Sequence, residues 1–200
     1  MCRFSYLCVL VAAVLLIGCV NSHRTAATGT GSIGKTKQVA HTARTPSRDG
    51  GSYWAGDGVT GPARVQISLG EQRAYLFKGG QLVGATNIST GRPGYRTPSG
   101  NYSVVGKDIN HVSGLYGSFV DCDGRVVMSD VGVRTDSAPP GAHFSGASMP
   151  YFIRFVGGIG MHAGYLPGYP ASHGCVRLPR EMAVHFYNNV STGTPVAVIN

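Results

Sequence analysis

Apolar and polar residues alternate from Arg64 onward, and this alternation marks where the chain folds. Val65, Ile67 and Leu69 recur at every second position, the period at which side chains of a strand share one face. Ala74–Phe77 reads as a second strand and Leu82–Ile88 as a third, with Gly79-Gly80 as the hairpin turn between them, since glycine accepts the positive φ angles of a tight hairpin at no steric cost. Further strands are predicted at Tyr102–Val105 after the Pro98-Ser99-Gly100 turn, at Arg125–Met128, at Tyr151–Val156 and at Ile159–Met161. A different period occurs once. Met182, Phe186 and Val190 stand four apart with Ala183 and Tyr187 beside them, which puts one apolar stripe on a helix. Pro179 suits its first turn, Gly193 stops it, and Val196–Ile199 returns as a terminal strand. The pattern predicts a mainly β, mostly antiparallel domain over 61–200 with one helix. Between Lys107 and Ala147 it is poor apart from Arg125–Met128, and this glycine-rich stretch with His111 and His143 is a candidate lid or substrate loop.

Ahead of the domain the patterning is of another kind. Arg3 precedes an apolar stretch from Phe4 to Ile17, which reads as a secretory leader and is too short for a membrane span of about 20 residues. Leu16-Ile17-Gly18-Cys19 resembles a bacterial lipobox. That resemblance implies a leader over 1–18, acylation of Cys19 and anchoring to a membrane of the bacterial envelope; Val20 in place of Asp points to the outer membrane if the host has two. Residues 19–60 are rich in Gly, Ser, Thr and Arg and are expected as a tether, with Tyr53-Trp54 able to dock on the domain. A flexible chain of roughly 40 residues spans about 30–40 Å r.m.s..

Composition narrows the class. Two hundred residues hold one domain of ordinary size plus tails. Thirty glycines, 13% charged and 42% hydrophobic residues suit a turn-rich β domain rather than a disordered chain. The formal charge of +8 is divided, with Arg24, Lys35, Lys37, Arg44 and Arg48 set against Asp49 and Asp57 in the tail, and eleven Lys and Arg against seven Asp and Glu from Gly61 onward. There is no basic helix, zinc finger or aromatic RNA-binding signature, so nucleic acid is not an expected partner. The charge solvates the tail and favours anionic wall polymer or phospholipid surfaces at long range.

Five cysteines reduce to two. Cys2 and Cys8 leave with the leader and Cys19 is acylated, leaving Cys122 and Cys175. A disulfide between them would consume a nucleophile, so two thiols are expected, Cys175 reactive and Cys122 incidental in the turn-like Asp121-Cys122-Asp123-Gly124, whose acidic neighbours disfavour a thiolate. Cys175 lies in Gly168-Tyr-Pro-Ala-Ser-His-Gly-Cys-Val-Arg-Leu178, downstream of His162 in Gly160-Met-His-Ala-Gly164. A cysteine nucleophile needs a base, an orienting group for that base, and donors for the oxyanion. His162 and Cys175 supply the first pair, a neighbouring imidazolium favours the reactive thiolate, and backbone amides around Gly174 and Cys175 are candidate oxyanion donors. No carboxylate lies between Tyr151 and Leu178 to orient the base. The order, histidine before cysteine, is not that of papain-like enzymes. Zinc held by His162, His173 and Cys175 would lack an obvious fourth ligand.

Four segments in order carry a family resemblance. Ser172-His-Gly-Cys-Val-Arg177 preceded by His162, the run Ser89-Thr-Gly-Arg-Pro-Gly-Tyr-Arg-Thr-Pro-Ser-Gly-Asn-Tyr102 (similar to S-T-G…T-P-x-G-x-[FY]), Met149-Pro-Tyr-Phe152, and His162–Ser172 together resemble the YkuD-type L,D-transpeptidases of bacterial peptidoglycan, from about Ala63 to Asn200. The resemblance implies a β-sandwich or open barrel with a helix directly after the cysteine segment. It implies that Cys175 attacks the L,D-amide of a tetrapeptide stem, that His162 is the base, and that the backbone carbonyl of Ala163 orients it. Ser172 would lock the loop, His173 would shape the pocket or bond to substrate, Gly174 would belong to the oxyanion side, and Arg177, where part of the family has Asn, would bind a stem-peptide carboxylate or brace the loop. Thr97–Gly100 would close one side of the groove; Tyr151, Phe152, Tyr165 and Tyr169 would line the donor pocket or simply pack. No metal or cofactor is required, peptidoglycan stem peptides are the partners, and carbapenems are expected to acylate the thiol. The acceptor could be a diamino acid side chain giving a 3→3 cross-link, a lipoprotein lysine, a free D-amino acid or water, the last making an L,D-carboxypeptidase. An inactive wall-binding module is the remaining alternative.

Overall fold

The computed structural model describes residues 51–200; the leader, Cys19 and the tether up to residue 50 lie outside the described residues. Strands β1 (Tyr53–Trp54), β2 (Ala63–Ser68), β3 (Arg73–Lys78), β4 (Gln81–Asn87), β5 (Gly100–Ser103) and β11 (Pro195–Ile199) form one sheet in the order β1-β4-β3-β2-β11-β5. A second sheet, in the order β10-β9-β8-β6-β7, contains β6 (Gly106–Val120), β7 (Val126–Gly132), β8 (His143–Val156), β9 (Ile159–Ala163) and β10 (Val176–Leu178). The one helix among the described residues, α1 (Arg180–Asn189), follows β10 directly. The fold is mainly β.

The first sheet obeys the alternation. Val65 and Ile67 on β2 are buried while Arg64 is exposed, and Ala74 and Leu76 do the same on β3. Gly79 and Gly80 turn the β3–β4 hairpin with φ of 56° and 85°, the two consecutive positive values that a type I′ turn demands. Ile67, Leu76, Ile153, Met161, Leu178 and Phe186 bring both sheets and the helix into one core. Burying each such side chain contributes about 1.5–3 kcal/mol.

Several details differ from the sequence pattern. Two pairings are parallel: β11 with β2, and β10 with β9. The first joins the two ends of the domain, and neither is announced by a local period. Pro179 caps the helix from outside (φ −54°, ψ 143°) instead of lying in its first turn, and the helix ends at Asn189, well before Gly193. Its C-terminal carbonyls, at Tyr187 and Val190, accept the Lys107 ammonium from β6, a cation placed where the helix dipole favours one. Tyr53-Trp54 docks as an edge strand on β4, with Trp54 stacked 4.2 Å from His185.

The largest difference is the stretch from Lys107 to Ala147. It is a twisted ribbon of long strands, β6 paired with β8 from Gly106↔Arg154 to Val120↔His143 and with β7 on its other side. The β6–β8 ladder is interrupted once: between Val112↔Ser148 and Gly117↔Gly146, the four residues Ser113–Tyr116 stand against Ala147 alone of β8. Ser113 Oγ accepts the amides of Leu115 (3.2 Å) and Tyr116 (3.0 Å) and shapes this bulge. The chains pass so closely beside it that a Cβ at Gly146 would stand 2.0 Å from the Ser113 carbonyl oxygen.

Candidate active site

Two short parallel strands build the site. Register Met161↔Val176 and His162↔Arg177 places β9 beside β10, so that Cys175, one residue ahead of β10, stands at the end of the strand pair that carries His162. Both residues line one cavity of about 540 Å³, whose opposite wall is the ribbon bulge (Ser113, Leu115, Tyr116) and Ala147–Met149 of β8. Glycines fix the approach: a Cβ at Gly160 would stand 2.5 Å from the Ile153 carbonyl oxygen and 2.6 Å from the Phe152 ring.

His162 is buried, and its Nδ1 lies 2.9 Å from the Ala163 carbonyl oxygen. A carbonyl only accepts, so the ring proton sits on Nδ1 and the Nε2 lone pair is left to take a proton. Burial pushes the His162 pKa down to about 4; the Ala163 carbonyl opposes this, and the charges of Arg177 and His111 add to it. Burial also pushes the Cys175 thiol above its ordinary value, against the lowering pull of the Gly160 amide and of Arg177. Both shifts act against charge on the separate groups, so burial here favours the neutral imidazole and the neutral thiol.

The cysteine loop is held from several sides. Ser172 Oγ donates to the Cys175 carbonyl and accepts the Gly174 amide at 3.0 Å. Thr97 Oγ1 donates to the Gly174 carbonyl (2.7 Å) and accepts the Gly91 amide (3.0 Å). Gly174 itself adopts φ 113°, a conformation that a side chain would strain. Its amide is thus committed to Ser172 and is not the oxyanion donor that the sequence suggested; of that pair the Cys175 amide remains. Arg177 exchanges backbone hydrogen bonds with Ser89 (2.9 and 3.0 Å), while its guanidinium has no carboxylate partner among the described residues and borders the cavity.

His173 meets residues that sequence reasoning did not single out. Its Nε2 lies 2.9 Å from Nη2 of Arg92, its ring stacks on Tyr116 at 4.1 Å, and Tyr95 packs edge-on at 4.6 Å. Arg92 is ion-paired with Asp130 of β7 at 3.0 Å. Burial lowers the His173 pKa, Arg92 lowers it further, and Asp130 opposes them. A second cavity of about 380 Å³ lies beyond this stack, sharing Tyr116, Ala147, His173 and Arg177 with the first. Of the four aromatics proposed for the donor pocket, Tyr165 lines the cavity. Phe152 packs behind His162, between it and His111, Tyr151 packs on Tyr187, and Tyr169 is exposed with its carbonyl bonded to Ser89. No three His, Cys, Asp or Glu side chains among the described residues converge to hold a metal.

Comparison with known proteins agrees with this architecture. A family model described as the YkuD L,D-transpeptidase catalytic domain matches residues 62–198. The chain belongs to that family. It is 34% identical over 118 residues to a probable L,D-transpeptidase 3 of Mycobacterium tuberculosis, a match that takes in 58% of this chain but 38% of that protein. Among solved structures, an L,D-transpeptidase from Mycobacterium smegmatis superposes with a TM-score of 0.53 at 20% identity, over 70% of this chain and 59% of the other. An L,D-transpeptidase in complex with imipenem gives 0.53 at 17% identity, over 68% and 58%, and one from Stackebrandtia nassauensis gives 0.51 at 20%, over 73% and 60%. These likenesses show the fold: two mixed sheets, mainly β, with a single helix behind the cysteine strand.

Proposed function

We propose that the chain is a peptidoglycan L,D-transpeptidase that works through a thioester on Cys175. The observation that carries this reading is that Cys175, directly ahead of β10, and His162 on the adjacent parallel β9 line one cavity, the imidazole locked by the Ala163 carbonyl with Nε2 unprotonated. As Cys175 Sγ attacks the carbonyl of the L,D-amide, Nε2 of His162 takes the thiol proton. The tetrahedral oxyanion forms beside the Cys175 amide. His162 then returns the proton to the departing D-alanine nitrogen, the C–N bond breaks and the stem is left as a thioester. An acceptor amine enters, gives its proton to His162, attacks the thioester carbonyl and expels the sulfur, which is reprotonated. In this scheme His162 takes the thiol proton as the sulfur attacks, acting as a general base.

The unpaired guanidinium of Arg177 supports the carboxylate-binding alternative over the bracing one, since its backbone already braces the loop. The second cavity gives an acceptor its own approach, which supports a 3→3 cross-link, attachment of a lipoprotein lysine or D-amino acid exchange over simple hydrolysis. The imipenem-bound relative supports carbapenem acylation of Cys175. We place the enzyme in the bacterial envelope, held by an acyl chain on Cys19; Cys19→Ser is expected to move it from the membrane fraction to the soluble one, and an unchanged membrane fraction would count against the anchor.

The function is tested by incubating the enzyme with purified tetrapeptide muropeptides and a D-amino acid, and following products by mass spectrometry. Cross-linked or exchanged stems are expected, and none from Cys175→Ala or His162→Ala. Tripeptide stems alone would identify water as the acceptor and the enzyme as an L,D-carboxypeptidase.

A further inference from the structure

Asp130 of the ribbon makes two charged contacts, with Arg92 at 3.0 Å and with Nε2 of His173 on the cysteine loop at 3.7 Å, and the ribbon's backbone is distorted at that point. On β7, Val131 pairs with Gly117 and Ser129 with Ser118 of β6, so Asp130 between them is the unpaired extra residue of a β-bulge. Asp130 also has φ 58°, one of three non-glycine residues with positive φ among the described residues. Bulges beside functional sites re-aim a side chain, and a non-glycine residue in the left-handed region persists when its surroundings hold it there. Here the bulge directs the Asp130 carboxylate out of the ribbon to Arg92, with Nη1 3.3 and 3.0 Å from its two oxygens. The other end of the contact is equally fixed. The Arg92 amide donates to the Ser172 carbonyl at 3.0 Å, its guanidinium lies 4.9 Å over Tyr95, and its Nη2 reaches His173 Nε2. A guanidinium only donates, so towards Arg92 at 2.9 Å the Nε2 of His173 accepts and the ring carries its proton on Nδ1, while the Asp130 oxygen that also faces Nε2 stands at 3.7 Å, beyond hydrogen-bond reach. Tyr116 of the ribbon bulge lies flat on the opposite side of this arrangement, stacked at 14° to the imidazole. His173 and Tyr116 border both cavities.

We propose that Arg92 and Asp130 are positioning residues that clasp the β6–β7–β8 ribbon to the cysteine loop, holding His173 as the Nδ1–H tautomer under Tyr116 so that the two cavities stay separate as substrate is bound. This rests on the acyl-transfer reading of the site. Neither residue touches Cys175 or His162; both act through His173 and Tyr116. The clasp is surface-exposed, and ion pairs of that kind contribute little to global stability, so its loss is expected to change the reaction and leave the fold intact.

The test uses the full chain labelled with 15N-histidine. In wild type, His173 is expected to show a protonated Nδ1 and an unprotonated, hydrogen-bonded Nε2. In Arg92→Ala the Nε2 signal should shift and the tautomers mix; Arg92→Lys, which keeps a cationic donor, should recover part of the wild-type signal. With tetrapeptide donor, Arg92→Ala is expected to lower kcat/KM by about tenfold to a hundredfold, the range that misplacement of a site costs, chiefly through KM. The double variant Arg92→Ala/Asp130→Ala should be no worse than the worse single one, because the two act as a unit, with the Tm of all variants within about 2 °C of wild type. Unchanged His173 signals in Arg92→Ala, an unchanged kcat/KM, or losses that multiply in the double variant would overturn the clasp. If wild type shows no acyl transfer at all, the functional reading fails, and the His173 signals decide the clasp alone.

Discussion

In the six-stranded sheet, Val65, Ile67, Leu76 and Val83 all face a closed core and are shielded from solvent. In the β6–β7–β8 ribbon, Val112 is 55% exposed, Val126 61% and Val127 50%. Both regions are strands rich in Val and Gly, yet one is packed on one side against the core and the other reaches past the core to wall the cavity over Cys175. A strand buried on one face is compelled to alternate; a ribbon wetted on both faces is not. What holds the ribbon in register is its backbone ladder, the close passage at Gly117 and Gly146, and the contacts that its bulge makes with the cysteine loop. The sheet thus carries stability, and the ribbon carries the environment of the reaction.

This division predicts unequal responses. The largest is at the core: Leu76→Ala is expected to cost about 2–5 kcal/mol in urea unfolding, whereas Val126→Ala in the ribbon should change stability by about 0.5 kcal/mol or less. Equal losses would break the comparison. The next concerns His162, on β9 between the two regions. Its folded-state pKa of about 4 lies below the ordinary imidazole value of 6.5, so between these values the unfolded chain binds a proton that the folded one refuses. Stability therefore rises with pH across this window and falls as the pH drops from 6.5 towards 4, by on the order of 3 kcal/mol. His162→Gln should remove that part of the slope, and unfolding curves at pH 4.5 and 7 would show whether it does. In activity, the same shift predicts that kcat/KM falls on the acid side only as the pH approaches 4.

Smaller effects sharpen the ribbon's role. Gly146→Ala would set a Cβ 2.0 Å from the Ser113 carbonyl oxygen. Forcing the strands apart is expected to cost about 1–3 kcal/mol, and to slow acylation of Cys175, because the bulge forms the cavity wall. Tyr116→Ala should change stability by less than about 1 kcal/mol, since the ring is only half-buried, yet lower kcat/KM about tenfold by removing the face on which His173 stacks. Acylation by a carbapenem, followed by intact mass, reads both variants.

What the sequence made legible follows the same division. The alternating β2 and β3, the Gly79-Gly80 turn and the Met182–Phe186 stripe were plain because each pairs a local period with a buried face. Cys175, His162 and Ser172 were legible as motif residues, compact in sequence because two neighbouring strands and one loop carry them. Arg92 and Asp130 were not. They are 38 positions apart, and what brings them together is a bulge whose only local sign is an aspartate with positive φ. The parallel pairing of β2 with β11 was hidden for the same reason, being a contact between distant segments. The commitment of the Gly174 amide to Ser172 was hidden too, since it depends on the loop's closed geometry.

The central claim is that Cys175 carries the acyl group while His162 moves the proton. It is tested most directly by quenching the full chain with acid early in turnover with a tetrapeptide donor, then locating the adduct by intact and peptide mass spectrometry. The account predicts one acyl adduct, on Cys175, equal to the stem without its terminal D-alanine, formed far more slowly in His162→Gln and absent in Cys175→Ala. Turnover without an adduct on Cys175, or an adduct that persists in Cys175→Ala, would contradict it.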